Sequence, residues 1–203
     1  ERQDAKISEF VSTIESMKKL SQTYLDSERG YVRNWASYIS EQGMTLEGAL
    51  QFLRSINTDP TRYVHIVDME TFRAYSSFYA PGQEEIDTYA RFSRASTDYE
   101  KGLIRTMQSF FDGTDEGFNV VGMYRTEESM SNAVSVGTRV TIQTDAGATD
   151  FLLLRVIPVA VLRSSWVFPV EYPSAEVGVI NRNGDYVIQS TSMKSRTFVD
   201  YIR

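Results

Sequence analysis

The sequence contains no cysteine and a single histidine among its 203 residues. The absence of cysteine excludes disulfides, thiolate zinc sites and cysteine nucleophiles. One histidine is too few for a histidine-based metal cluster, and it leaves one imidazole as a possible base. Because His65 lies in the β-branched and aromatic run Tyr63–Val67, a structural place in a strand is its commoner role.

Long hydrophobic runs and clusters of basic residues are also missing. The longest apolar stretch, Phe151 to Leu162, is interrupted by Arg155 and is shorter than the ~20 residues that cross a bilayer. No signal peptide is visible, so we expect any membrane-spanning segment to lie outside these residues. The net charge of -6 argues against nucleic acid or anionic lipid as the main partner, because both select for clustered lysine and arginine.

Motifs of catalysis are absent too. The sequence has no nucleophile elbow, no glycine-rich phosphate loop, no zinc-protease motif and no kinase signature. Adjacent carboxylates occur at Glu84–Glu85 and Glu127–Glu128, but such pairs usually lie on a solvated surface. We therefore expect a domain that is not an enzyme and carries no cofactor or metal, with a hydrolase of unfamiliar type as the remote alternative.

The first forty residues carry a strong helical pattern. Apolar residues recur at spacings of three and four, with only Ser21 and Glu28 interrupting the row: Ile7, Phe10, Ile14, Met17, Tyr24, Tyr31, Trp35 and Tyr38. The pattern predicts one continuous helix over residues 7–39, with its apolar stripe largely covered by a sheet or by a second copy in a homodimer. A helix of about 38 residues is roughly 57 Å long, which suits a stalk.

The rest of the chain reads as a mixed α+β unit followed by a hairpin. Thr45 is expected to cap a helix that carries Leu46, Leu50 and Ile56 on one face. Strands are predicted at 63–68, 72–77, 119–124, 139–144 and 151–162, with a helical region over 83–111 and a helix or irregular lid over 127–134. Pro158 should lie near a strand end. The last segment, 177–190, predicts a hairpin with its turn at Asn183–Gly184.

The order of these elements resembles a known family. The residues that carry the resemblance are Val64–Asp68 with Phe72–Ser76 as a first hairpin, Leu154–Val159 as the last sheet strand, and Ala175–Ile188 as the opening of a second lobe. In this order the chain resembles the double Cache (PDC-like, PAS-like) sensor domains of bacterial signal-transduction proteins. The expected domains are a stalk helix (1–44), a sensor lobe (45–165), and a membrane-proximal lobe fragment or sheet extension (166–203).

The resemblance implies an α+β fold in which a long N-terminal helix packs on a PAS-like antiparallel sheet. It also implies a ligand-sensing domain at the extracytoplasmic face of a bacterial membrane, in a receptor of the two-component histidine kinase type. Two alternatives stay open: the input domain of a chemoreceptor or diguanylate cyclase, and a PAS-like protein-interaction module without a small ligand. The ligand would be a small molecule.

Four residues are candidates for ligand contact: Tyr124, Arg125, Arg155 and Trp166. Arg155 stands in an apolar run, where an unpaired charge is costly, so it needs a carboxylate, a ligand anion or solvent. Tyr124 and Arg125 follow a predicted strand and precede an irregular segment. Trp166 is the weakest candidate, because packing between lobes is its commoner role. Guanidinium groups favour an anionic or carbonyl-bearing ligand.

Overall fold

The computed structural model describes residues 2–57, 63–86, 94, 98–114, 133–158, 161–162, 178–180 and 186–189. Within these residues the elements are α1 (Arg2–Glu41), α2 (Leu46–Ile56), β1 (Tyr63–Val67), β2 (Ala74–Ser76), β3 (Glu85–Ile86), α3 (Asp98–Asp112), β4 (Ala133–Thr144), β5 (Gly147–Pro158), β6 (Gly178–Ile180) and β7 (Tyr186–Gln189). The fold is α+β, with a long N-terminal helix and an antiparallel sheet, as the sequence predicts.

The helix α1 is continuous over 40 residues, which confirms the predicted helix over residues 7–39. At 1.5 Å per residue it is about 60 Å long. Gly30 lies inside it without breaking it, because the cost of one glycine is only about 1 kcal/mol relative to alanine. Gly43 follows the helix with a φ of 57°, the left-handed conformation that commonly ends helices.

The second helix begins where the sequence predicts. The Thr45 side chain accepts a hydrogen bond from the Gly48 backbone N–H at 3.3 Å and caps the first turn of α2. Its buried face consists of Ala49, Leu50 and Leu53.

Five strands form an antiparallel sheet in the order β3-β2-β1-β5-β4. β1 and β5 are central, and β5 pairs with all twelve residues of β4. Thr144 pairs directly with Gly147, so a two-residue turn joins β4 to β5, and Gly147 has a φ of 106° that an L side chain rarely adopts. Pro158 is the last residue of β5, which confirms its predicted place.

The sheet has a covered face on each side. On one face, residues of alternate strand positions pack against α1 and α2: Val64, Ile66, Val134, Val136, Val140, Ile142, Leu153 and Ile157. On the other face, the intervening residues pack against α3: Val67, Ala74, Ala133, Leu152, Leu154 and Val156. We call these the α1 face and the α3 face.

The apolar stripe of α1 is covered only in part. The residues that lie buried are Met17, Ser21, Leu25, Glu28, Val32, Ala36 and Ile39. Within the single chain, the sheet leaves three members of the row exposed: Ile7, Tyr31 and Tyr38. The two interruptions of the row, Ser21 and Glu28, are in contrast fully covered.

Several predicted boundaries differ from the structure. The region 83–111 was expected to be helical, but Glu85–Ile86 form β3, where Glu85 pairs with Tyr75 and holds the Arg73 guanidinium at 2.9 Å. β4 starts at Ala133, six residues before the predicted strand 139–144, so the end of the predicted helix or lid over 127–134 is strand. β5 runs from Gly147 to Pro158, so it begins and ends four residues earlier than the predicted strand 151–162. The strand predicted at 119–124 lies outside the described residues.

The strands β6 and β7 pair antiparallel with each other, Gly178 with Gln189, and confirm the second hairpin. Within the described part of the chain they form a separate two-stranded sheet. The predicted turn at Asn183–Gly184 lies outside the described residues. None of the described helices has the length and apolar content needed to cross a bilayer.

Candidate functional site

Of the four candidate ligand contacts, the structure describes Arg155. Tyr124, Arg125 and Trp166 lie outside the described residues, so their roles stay predictions. Arg155 is in the middle of the central strand β5, where Val64 of β1 and Val136 of β4 flank it in register. Its side chain shares the α1 face with these two valines, and the residue is only 3% exposed.

The guanidinium of Arg155 meets a carboxylate on α1. Its Nε forms an ion pair with Oε2 of Glu28, and Glu28 is 2% exposed. Both charged groups are therefore removed from water, which is costly for each alone and tolerable only because they meet. Of the three partners that the sequence allowed for Arg155, the structure shows the protein carboxylate.

An aromatic ring completes this site. The guanidinium carbon of Arg155 lies 5.1 Å from the centroid of the Trp35 ring, a distance at which the ring quadrupole attracts a cation. Trp35 is two turns beyond Glu28 on α1, so one helix supplies both the carboxylate and the ring. The arrangement fixes α1 to the centre of the sheet at a single register.

The sequence pattern marks both Glu28 and Arg155 but does not show that the two side chains meet. Glu28 interrupts the apolar row of the helix and Arg155 interrupts the apolar strand, and each is a charge where burial is expected. Two opposite charges in two apolar patterns are a signal for a buried ion pair. Pairing the negative Glu28 with the positive Arg155 predicts that α1 packs against β5.

The polar side chains that are buried on the α3 face are neutral. His65 is buried there, in register with Ser76 of β2 and Leu154 of β5. Burial lowers the pKa of His65 to about 4, so its imidazole is neutral at physiological pH and offers one donor and one acceptor. This confirms the expectation of a structural strand residue.

A buried hydroxyl lies farther along the same face. Ser135 pairs with Val156 and alternates with Val134 and Val136, so its side chain points to the α3 face. Its Oγ is buried and has no hydrogen-bond partner in the described structure. Leaving such a hydroxyl unmatched costs about 1–3 kcal/mol, which makes it a place where an added hydrogen-bonding group would be accepted.

Within the described residues, no group of three or more His, Asp or Glu side chains is arranged to hold a metal ion. Similarity to a protein of known function would be a second kind of evidence. Comparison with family models, curated proteins and solved structures finds no match for this chain.

Proposed function

We propose that the chain is an extracytoplasmic ligand-sensing domain of a bacterial membrane receptor, of the two-component histidine kinase type, and that it transmits ligand occupancy through α1. The observation that carries the proposal is a helix of about 60 Å fixed to the central strand by the buried Glu28–Arg155 pair. A sensor needs such a link, because a ligand acts at a distance only through an element whose arrangement differs between two states.

The arrangement of layers supports the PAS-like part of the proposal. An antiparallel five-stranded sheet carries α1 and α2 on one face and α3 on the other. The α1 face is filled by the helix and by the ion pair. We therefore propose that the ligand binds on the α3 face, where Ser135 Oγ is buried and has no hydrogen-bond partner among the described residues.

The first experiment tests the location. Because the chain has no cysteine, a Lys19→Cys variant of the full-length protein, in a background otherwise freed of cysteine, carries one reactive thiol on an exposed position of α1. A membrane-impermeant maleimide should label this variant in intact cells. Labelling that occurs only after lysis would overturn the extracytoplasmic proposal and favour a PAS-like interaction module.

The second experiment tests ligand binding. A panel of small polar metabolites, including carboxylates, sugars and amines, is screened by the melting temperature of the chain. A ligand at 100 times its Kd adds about 2.7 kcal/mol, which raises the melting temperature of a domain of this size by roughly 5–10 °C. Ser135→Ala should reduce the shift, whereas the control Ser37→Ala on the exposed side of α1 should leave it unchanged. No shift with any compound would argue for a module without a small ligand.

A further inference from the structure

The two faces of β4 differ in the size of their side chains. On the α1 face the strand carries Val134, Val136, Val140 and Ile142. On the α3 face the residues before Arg139 are all small: Ala133, Ser135 and Gly137. Dispersion contacts grow with the number of packed atoms, so small side chains hold a covering helix less firmly than valine and isoleucine do. The helix α3, which packs on β4 and β5, therefore lies on the weaker of the two faces.

The helix α3 also contributes few side chains to the core. Its buried residues form one stripe at spacings of four and three: Leu103, Met107 and Phe110. The described charged side chains of α3 all lie outside the core. On the other face, α1 is held by the buried Glu28–Arg155 pair and by the hydrogen bond from Thr141 to Ser40. Release of α3 therefore separates no buried ion pair, whereas release of α1 does.

The C-terminal end of α3 is fastened to the sheet by one arginine. Nε of Arg139 donates a hydrogen bond to the Phe111 carbonyl oxygen at 3.0 Å, and its guanidinium carbon lies 4.5 Å from the Phe111 ring centroid. The same guanidinium reaches Asp112 at 3.7 Å and Asp150 of β5 at 3.4 Å. Gly113, with a φ of 71°, ends the helix directly after these contacts. Arg139 thus joins the last turn of α3 to both strands of the β4–β5 hairpin.

The first turns of α3 are less stable than its last turn. Gly102 lies in them, and glycine is the least favourable helix residue after proline. Of the described side chains of α3, the first that is buried is Leu103. An isolated helix of 15 residues is only marginally stable in water. We therefore expect α3 to lose its helical hydrogen bonds when it leaves the sheet, beginning from its N-terminal end.

We propose that α3 opens as a lid on the α3 face, hinged at Arg139, while α1 and the sheet stay folded. Opening uncovers Ser135, whose two neighbours on this face, Ala133 and Val156, belong to the cluster that α3 covers. The buried Ser135 Oγ, which has no hydrogen-bond partner among the described residues, then becomes accessible. The role of the lid, admission of a ligand to this face, rests on the proposed function. The opening itself does not.

The first test compares thiols on the two faces of one strand. Because the chain has no cysteine, Ser135→Cys and Val134→Cys each carry one thiol, at adjacent positions that are 2% and 1% exposed. A small aromatic disulfide reagent measures how often each thiol is uncovered, and urea unfolding of both proteins gives the rate expected from complete unfolding alone. Ser135→Cys should react at least tenfold faster than that rate, and Val134→Cys at that rate. Reaction of both thiols only through complete unfolding would overturn the proposal.

The second test addresses the hinge. Arg139→Met removes the contacts that fasten the last turn of α3, so it should raise the reaction rate of Ser135→Cys at least threefold. The matched control Arg73→Met breaks an exposed pair with Glu85, at the opposite edge of the sheet, and should leave that rate unchanged. No acceleration by Arg139→Met, or equal acceleration by the two variants, would overturn the hinge.

Hydrogen exchange of the unmodified chain identifies the segment that opens. Because a detached α3 loses its helical hydrogen bonds, the amides of residues 103–112 should exchange together. Their opening equilibrium should be at least tenfold more favourable than that of residues 25–39 in α1. Exchange of both segments with the same opening equilibrium would show that α3 does not open by itself.

The outcomes separate the lid from the sensor proposal, since all three measurements are made without an added ligand. If Ser135→Cys reacts only through complete unfolding, the lid is overturned, and maleimide labelling of Lys19→Cys still decides the location of the domain. If Ser135→Cys reacts through local opening but Lys19→Cys is labelled only after lysis, the lid is supported and the sensor proposal is overturned.

Discussion

At the scale of single residues, the Glu28–Arg155 pair makes the chain sensitive to the loss of either partner. The two side chains are 3% and 4% exposed, so neither charge can be solvated if the other is removed. A buried pair of this kind contributes little net stability relative to apolar residues of the same volume. Its contribution is to specify one position of α1 on the sheet.

Arg155→Met should lower the free energy of unfolding by about 3–5 kcal/mol, because it leaves Glu28 buried without its counter-charge. The double variant Glu28→Leu with Arg155→Met should recover most of that loss. Urea unfolding of the three proteins checks this. As a control, Arg73→Met breaks a pair whose side chains are 59% and 50% exposed and should cost at most about 1 kcal/mol.

A different outcome would assign Arg155 to a ligand. If Arg155→Met had the unfolding free energy of the unmodified chain and only lost a ligand-induced stabilisation, the arginine would act as the sequence-based hypothesis proposed. Equal destabilisation with and without ligand would identify it as a structural partner.

His65 should make stability depend on pH. Its pKa is about 4 in the folded chain, because burial disfavours the charged form, and about 6.5 when the chain is unfolded. The stabilisation is complete above pH 6.5 and falls as the pH drops towards 4, because only the unfolded chain takes up the proton. Between pH 7.5 and 5 the loss should be about 2 kcal/mol. Urea titrations at several pH values measure it.

The control for this prediction is His65→Gln, which cannot titrate. Since His65 is the only histidine, this variant should have a much flatter dependence of the unfolding free energy on pH over the same window. A slope equal to that of the unmodified chain would show that other groups cause the effect.

At the scale of elements, local patterns predicted much of the fold. The helix α1, the capped helix α2, the β1–β2 pair and the β4–β5 hairpin all follow from residues close in sequence. The strand β3 was missed, because it has only two residues and depends on pairing with Tyr75. The Glu28–Arg155 contact was missed for the same kind of reason, since it joins residues far apart in the chain.

The partial covering of the apolar row also has an element-scale cause. The row repeats every 3.5 residues, whereas a straight helix repeats every 3.6, so the row drifts by about 20° per heptad. From Ile7 to Tyr38 it turns by roughly 90° around α1. Over the second half of α1 the side that the sheet covers carries other residues, Leu25, Val32, Ala36 and Ile39. Tyr31 and Tyr38 are thereby carried away from the sheet and lie exposed.

Replacing glycine by alanine should have opposite effects on stability at two positions of the chain. A Cβ at Gly137 of β4 would lie 3.1 Å from the Leu153 carbonyl oxygen and from Leu152 Cδ1, and the backbone oxygen cannot give way. Gly137→Ala should therefore destabilise the chain by about 1–3 kcal/mol. Gly30 has open space around it, so Gly30→Ala should stabilise α1 by up to about 1 kcal/mol. Melting temperatures that moved in the same direction would contradict this account.

At the scale of the whole molecule, α1 extends beyond the core that it covers. Residues 4–9 are exposed, and the first buried side chain of α1 is Met17. Amide exchange should therefore be graded along one helix: fast over the first turns, and slow from Leu25 to Ile39, where opening requires the sheet to release the helix. Hydrogen exchange with mass spectrometry measures the gradient. Uniform protection from residue 4 to residue 39 would show that the first turns are covered as well.

The contact between the end of α1 and β4 bears on how the protein is made. Ser40 accepts a hydrogen bond from the Thr141 backbone N–H across a sequence separation of 101 residues. At 5–20 residues per second, a ribosome needs about 5–20 s to supply that strand after the helix has emerged. During this interval the apolar side of the nascent helix has no sheet to cover it. We expect a ribosome-bound chain halted before β4 to be bound by chaperones, and one that includes β5 to be released from them.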